Sequence, residues 1–101
     1  NVPVRVEIAR TAVEWHQGLS DRQALAQGDG MLFDFGAPGL YGITMRRMHF
    51  PIDILWLNEK YQIVHKVENA VPDSYPTVYV SPAPARYVLE VPAGWVRKNL
   101  L

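Results

Sequence analysis

Cysteine is missing from all 101 residues of the chain. Disulfide stapling, thiol redox catalysis and thiolate zinc sites are thereby excluded, while the cellular compartment is left open. Charge of one sign is missing too, since ten Lys and Arg side chains balance ten Asp and Glu. A chain without a global field does not draw in nucleic acid or an anionic membrane, and no nucleic-acid partner is expected. No apolar run approaches the roughly 20 residues that span a bilayer, so a membrane-spanning helix is not expected either. There is no internal repeat and no low-complexity tract.

What remains suits a single domain over residues 1–101. A chain of this size buries roughly two-thirds of the surface its unfolded form exposes and needs no metal or disulfide to fold. No feature calls for a cofactor. The first residue is Asn1 rather than Met, and Val2, Val4, Val6 and Ile8 alternate at once like a strand. The chain therefore reads as a trimmed or processed product, with any signal peptide upstream.

The alternation over Val2 to Arg10 predicts a half-buried strand. Thr11-Ala12-Val13-Glu14 fits a capping box, so a helix starts at Ala12 and stops near Gly18. Ser20-Asp21-Arg22-Gln23 repeats the pattern and predicts a second short helix ending near Gly28. Met31 to Phe35, Leu40 to Met45, Ile52 to Leu57, Tyr61 to Glu68, Val78 to Val80 and Arg86 to Val91 are strand candidates. A hairpin turns about Asn58-Glu59-Lys60, and a helix begins at Trp95. Four prolines make Val71 to Pro84 a long, mostly extended connection, and ordered loops of that length are commonly functional or cover something. The expected class is α+β: a strongly bent antiparallel sheet or small β-barrel, with one or two short N-terminal helices packed at one opening.

Asp53 stands among Ile52, Ile54, Leu55, Trp56 and Leu57. A carboxylate so placed must find a cation or several N–H donors, because desolvating it unpaired costs several kcal/mol or shifts its pKa. If Leu57 pairs with Gln62, Asp53 faces Lys66 across the hairpin; a bulge at Tyr61 would make it face Val67, leaving Arg46, Arg47 and Arg86 as available cations. Glu68 and Glu90, each taken as ending a strand, are candidates for an acid–base pair or for simple solvated carboxylates. His49, Asp53 and His65 could supply a divalent metal, although no tight spacing supports it. Ser20, Ser74 and Ser81 lack a glycine-flanked elbow, and Gly28-Asp29-Gly30 is too short for a phosphate loop. Tyr75, Tyr79, Tyr87, Trp56 and Trp95 are candidates for an aromatic groove, or for core.

The ordered motifs Gly18-Leu19, Gly30-Met31-Leu32-Phe33, Pro51-Ile52-Asp53-Ile54, Val67-Glu68-Asn69-Ala70-Val71-Pro72 and Ala85 to Gly94 run through nearly the whole chain. Together they resemble a prokaryotic family, domain of unknown function number 192. The resemblance implies a small single-domain β-rich fold of a kind often found in exported proteins behind a signal peptide, and no established activity. The family pattern Trp-Met-Arg/Lys-Asn-Thr is replaced here by Thr44-Met45-Arg46-Arg47-Met48. The family also continues past the point where this chain stops at Leu101, which implies an incomplete or variant terminus.

The leading expectation is a non-catalytic small-ligand-binding or accessory domain of an exported protein, periplasmic or secreted, with a cytoplasmic location as the alternative. Its polar site gathers Asp53, Arg46, Arg47, Glu68 and Tyr79 beneath the Val71 to Pro84 loop. The partner is a small molecule or a protein, and the oligomeric state is open. Two alternatives stand beside it: an acid–base or metal-assisted hydrolase using Asp53 with His49 or Glu68, and a protein-interaction module acting through a sheet edge.

Overall fold

A computed structural model describes residues 2–101. The order of elements is β1 (Arg5–Ala9), α1 (Ala12–Gln17), β2 (Asp29–Gly39), β3 (Gly42–Ile43), β4 (Ile52–Leu57), β5 (Ile63–Ala70), β6 (Tyr79–Val80), β7 (Ala85–Pro92) and α2 (Trp95–Lys98), with a 3-10 turn at Pro72–Ser74. Five strands form one sheet in the order β1-β2-β7-β4-β5, while β3 and β6 pair separately. The class is α+β. The main sheet is mixed, because β1 runs parallel to β2, and it is open rather than a closed barrel. Burial is achieved instead by covering both faces.

On the first face Met31, Phe33, Ile52, Ile54, Trp56 and Val88 form one apolar cluster; on the second, Leu55, Leu57, Tyr87, Leu89, Val91, Trp95 and Val96 form another. β4 lies between β7 and β5, and all six of its residues are buried. That explains its continuous apolar run, since a strand covered on both sides has no solvent face to alternate with.

The capping box forms as the sequence predicts: the Thr11 hydroxyl accepts from the Glu14 amide at 3.2 Å, and Glu14 accepts from the Thr11 amide at 3.1 Å. The Trp15 indole then donates to the Ala9 carbonyl at 3.0 Å, which fastens α1 to the end of β1. The second predicted helix does not form. Asp21 adopts a left-handed conformation (φ 66°), and the Ser20 hydroxyl donates to the Arg46 carbonyl at 3.2 Å instead of capping. Residues 20–28 are turns at either end of an irregular stretch. Leu40 to Met45 yields only the two-residue β3, whereas β2 is longer than expected and begins at Asp29.

The hairpin register differs from both sequence alternatives. Tyr61 and Gln62 belong to the turn, with Tyr61 left-handed and the Asn58 side chain accepting from the Gln62 amide at 3.0 Å. Leu57 therefore pairs with Ile63, and Leu55, not Asp53, faces Lys66. Farther along, Ile54 pairs with Val67 and Ile52 with Ala70, so Glu68 and Asn69 together oppose Asp53. This is a β-bulge, with Asn69 left-handed at φ 56°. It turns the Asn69 amide onto Asp53 at 2.8 Å. The other carboxylate oxygen of Asp53 accepts from the amides of Gly94 at 3.1 Å and Val96 at 2.9 Å, at the start of α2. Gly94, at φ 94°, supplies a turn that a side chain would strain.

Asp53 is fully buried, and backbone donors rather than a cation satisfy it. Asp53→Asn removes the charge and points an amide N–H₂ at backbone donors. We expect a loss of roughly 3 kcal/mol in unfolding free energy, a large share of what a small domain has. Urea denaturation checks it, and an unchanged midpoint would refute the role.

Candidate functional site

The second acid of the sheet lies on the other face. Glu90 pairs with Met31 of β2 and Ile54 of β4, and its side chain opens onto a cavity of about 310 Å³. Trp15, Leu19, Phe33, Ile43 and Met48 supply the apolar walls, and His16, Ser20, Thr44 and Arg46 supply the polar ones. The residues of α1 and its following turn thus face those of β3 and the loop after it, with β2 and β7 between them.

Glu90 is only 4% exposed, and among the described residues none donates a hydrogen bond to its carboxyl group. Burial pushes its pKa up to about 8, so the group is largely protonated at neutral pH. A neutral carboxylic acid both donates and accepts a hydrogen bond. At the rim, an Arg46 guanidinium N–H reaches the His16 Nε2 at 3.3 Å, joining the two walls. That contact requires a His16 tautomer with an unprotonated Nε2, since a guanidinium only donates.

The two loops that carry these walls are held together from outside. The Asp21 amide donates to the Arg47 carbonyl at 2.8 Å, and the Arg47 guanidinium pairs with the Asp21 carboxylate. Both residues are left-handed, at φ 66° and 60°. His49 stands 3.6 Å from the same Asp21 carboxylate.

The residues singled out in the sequence do not share one place. Asp53 and Glu68 meet with Arg97 around a surface depression next to α2. Arg46 lines the Glu90 cavity, whose lining shares no residue with that depression. Arg47 is engaged with Asp21, and Tyr79 pairs with Ile43 and packs on the first-face cluster. The Val71 to Pro84 segment contributes β6 to the β3 side of the molecule, away from Asp53. Glu68 and Glu90 are not an acid–base pair, because Glu68 borders the Asp53 depression and Glu90 opens on the opposite face.

His49 lies beside Asp21, while His65 stands opposite Trp56 with ring centroids 5.2 Å apart. Among the described residues no group of three or more His, Asp or Glu is placed to hold a metal ion. Nor is there one aromatic groove, since Trp56 lies in the first cluster and Tyr87 and Trp95 in the second.

The sequence reasoning passed over Glu90 as a floor residue by treating it as a strand end. The signal was available, because Glu90 stands between Leu89 and Val91 much as Asp53 stands between Ile52 and Ile54. A larger concavity of about 450 Å³ on the second face is lined by residues such as Val4, Val6, Leu32, Leu57 and Trp95. It lacks the convergent polar groups that orient a ligand, which the Glu90 cavity has.

The model of the family DUF192, described as Uncharacterized ACR, matches residues 1–101. The chain belongs to that family. Two solved structures share the DUF192 fold seen here. One, from Sinorhizobium meliloti 1021, is described as a "putative transcription regulator"; it is 35% identical with a TM-score of 0.91, over 95% of this chain and 74% of its own. The other, from Novosphingobium aromaticivorans DSM 12444, is described as a protein of unknown function; it is 30% identical with a TM-score of 0.88, over 94% of this chain and 67% of its own. No curated protein matches the sequence. Among the described residues of this DUF192 domain no helix is long and apolar enough to cross a membrane.

Glu90 also gives the domain a pH signature. Its folded pKa of about 8 lies above the ordinary value of 4.5, so between those limits the folded state holds a proton that the unfolded state releases. Stability should therefore be greatest, as far as this group goes, below the lower value and fall as pH rises toward the upper one, by at most about 1.4 kcal/mol per pH unit. Glu90→Gln should flatten that decline and be the more stable protein at pH 8. Paired denaturation curves from pH 5 to 9 check it, and parallel pH profiles would refute it.

Proposed function

We propose that this DUF192 domain is a non-catalytic module that binds a small molecule in the cavity above Glu90, as part of an exported protein. The observation that carries the reading is an almost wholly buried glutamate whose carboxyl group opens onto a cavity and, among the described residues, takes no hydrogen bond. Polar groups inside a protein are normally satisfied, and one left open to a concave site is supplied with a partner by water or by a ligand. The volume, about 310 Å³, lies at the small end of ligand pockets. The regulator description of the Sinorhizobium relative fits a domain that senses its ligand rather than transforms it.

An acid–base reading is favoured by one observation, the protonated state of Glu90 near neutrality, which suits a general acid. In that reading Glu90 replaces Asp53, whose oxygens are already taken by three backbone amides.

The test is a fragment screen by protein-observed NMR. Bound fragments should shift the amides of Trp15 to Ser20 and of Ile43 to Met48. Thr44→Trp, which fills the cavity from its wall, should abolish those shifts while leaving the melting temperature within a few degrees. A screen whose hits all map elsewhere would overturn the binding reading.

A further inference from the structure

The charge inventory of the cavity is short. Besides Glu90 on β7, the titratable or charged lining groups are His16 on α1 and Arg46 on the loop after β3; the facing residues of β2 and β3, Phe33 and Ile43, are apolar. Among the described residues no carboxylate stands within ion-pair distance of Arg46. Its contact with His16 occupies one of the five guanidinium N–H donors, which fixes the group across the rim and leaves the others free. With Glu90 protonated, the one net charge at the site is positive and sits at the mouth. The floor offers an O–H donor, and between floor and mouth Trp15, Leu19, Phe33, Ile43 and Met48 give an apolar lining beside the Ser20 and Thr44 hydroxyls.

Resting on the binding reading above, we propose that the cavity selects small organic anions with an apolar body. The anionic group is held by Arg46 at the mouth, and an uncharged hydrogen-bond acceptor at the far end is met by the Glu90 carboxyl group. A ligand ammonium fits less well, because it must pass the Arg46 charge, and Glu90 must first give up its proton to solvent before an ion pair can form. His16 acts as a positioning residue for the guanidinium.

The experiment uses four probes, para-acetylbenzoate, para-acetylbenzamide, para-acetylbenzylamine and para-isopropylbenzoate, titrated by NMR and calorimetry. Para-acetylbenzoate should bind roughly tenfold tighter than the neutral amide or the amine, the scale of one charge-assisted hydrogen bond. It should also bind more tightly than para-isopropylbenzoate, which offers Glu90 no acceptor. Arg46→Gln should erase the preference for the anion and Arg46→Lys retain it, both with an unchanged melting temperature. Affinity of the wild type for para-acetylbenzoate should fall as pH rises through about 8, and Glu90→Gln should remove that fall. Equal or tighter binding of the amide or the amine, with shifts at Trp15 to Ser20, would overturn the anion assignment and leave the binding reading standing. No probe shifting those residues would overturn both.

Discussion

A carboxylate denied water has to be met by donors, and at Asp53 the donors come from two distant parts of the chain. The Asn69 amide belongs to the bulge that ends the β4–β5 ladder, and the Gly94 and Val96 amides open α2. One side chain thus fixes where β5 stops hugging β4, where the chain turns after β7, and how α2 caps the second face of the sheet. Because three backbone N–H groups share the negative charge, no cation is required. The sheet's second face, with Trp95 and Val96 in its cluster, is assembled around that fastening.

Glu90 is the contrasting case. It lies on the neighbouring strand, paired across from Ile54, and is almost as deeply buried. Among the described residues no backbone amide donates to it. Desolvation without donors leaves protonation as the accessible way to lower its cost, which is why its pKa rises. Two acids of similar burial therefore sit in different surroundings. The difference lies in whether local backbone geometry supplies donors: a left-handed Asn69 and a left-handed Gly94 on one face, and an open cavity on the other.

Much of this was legible from residue order, and the exceptions share a cause. Periodicity and capping chemistry are local, so β4, β7 and α1 were readable within a residue or two of their ends. The burial of Asp53 was likewise readable from its neighbours. Its partners were not, because the register depends on Tyr61 and Asn69 adopting left-handed conformations that no alternation pattern encodes. The second helix failed because Ser20 and Asp21 found better partners in Arg46 and Arg47, 26 residues away. For the same reason Arg46 and Arg47, adjacent in sequence, part company. One reaches over a cavity and the other braces a turn. The shift of the candidate site from Asp53 to Glu90 follows from long-range packing that places Glu90 under α1 and leaves Asp53 sealed.

An open sheet leaves two rims of backbone, along β1 and β5, where another strand can add. Arg5 and Glu7 flank the first rim and are engaged sideways with Asp29 and Arg22. Lys66 and Glu68 stand exposed on the second. A strand approaching either margin must dehydrate alternating charges before it gains a ladder.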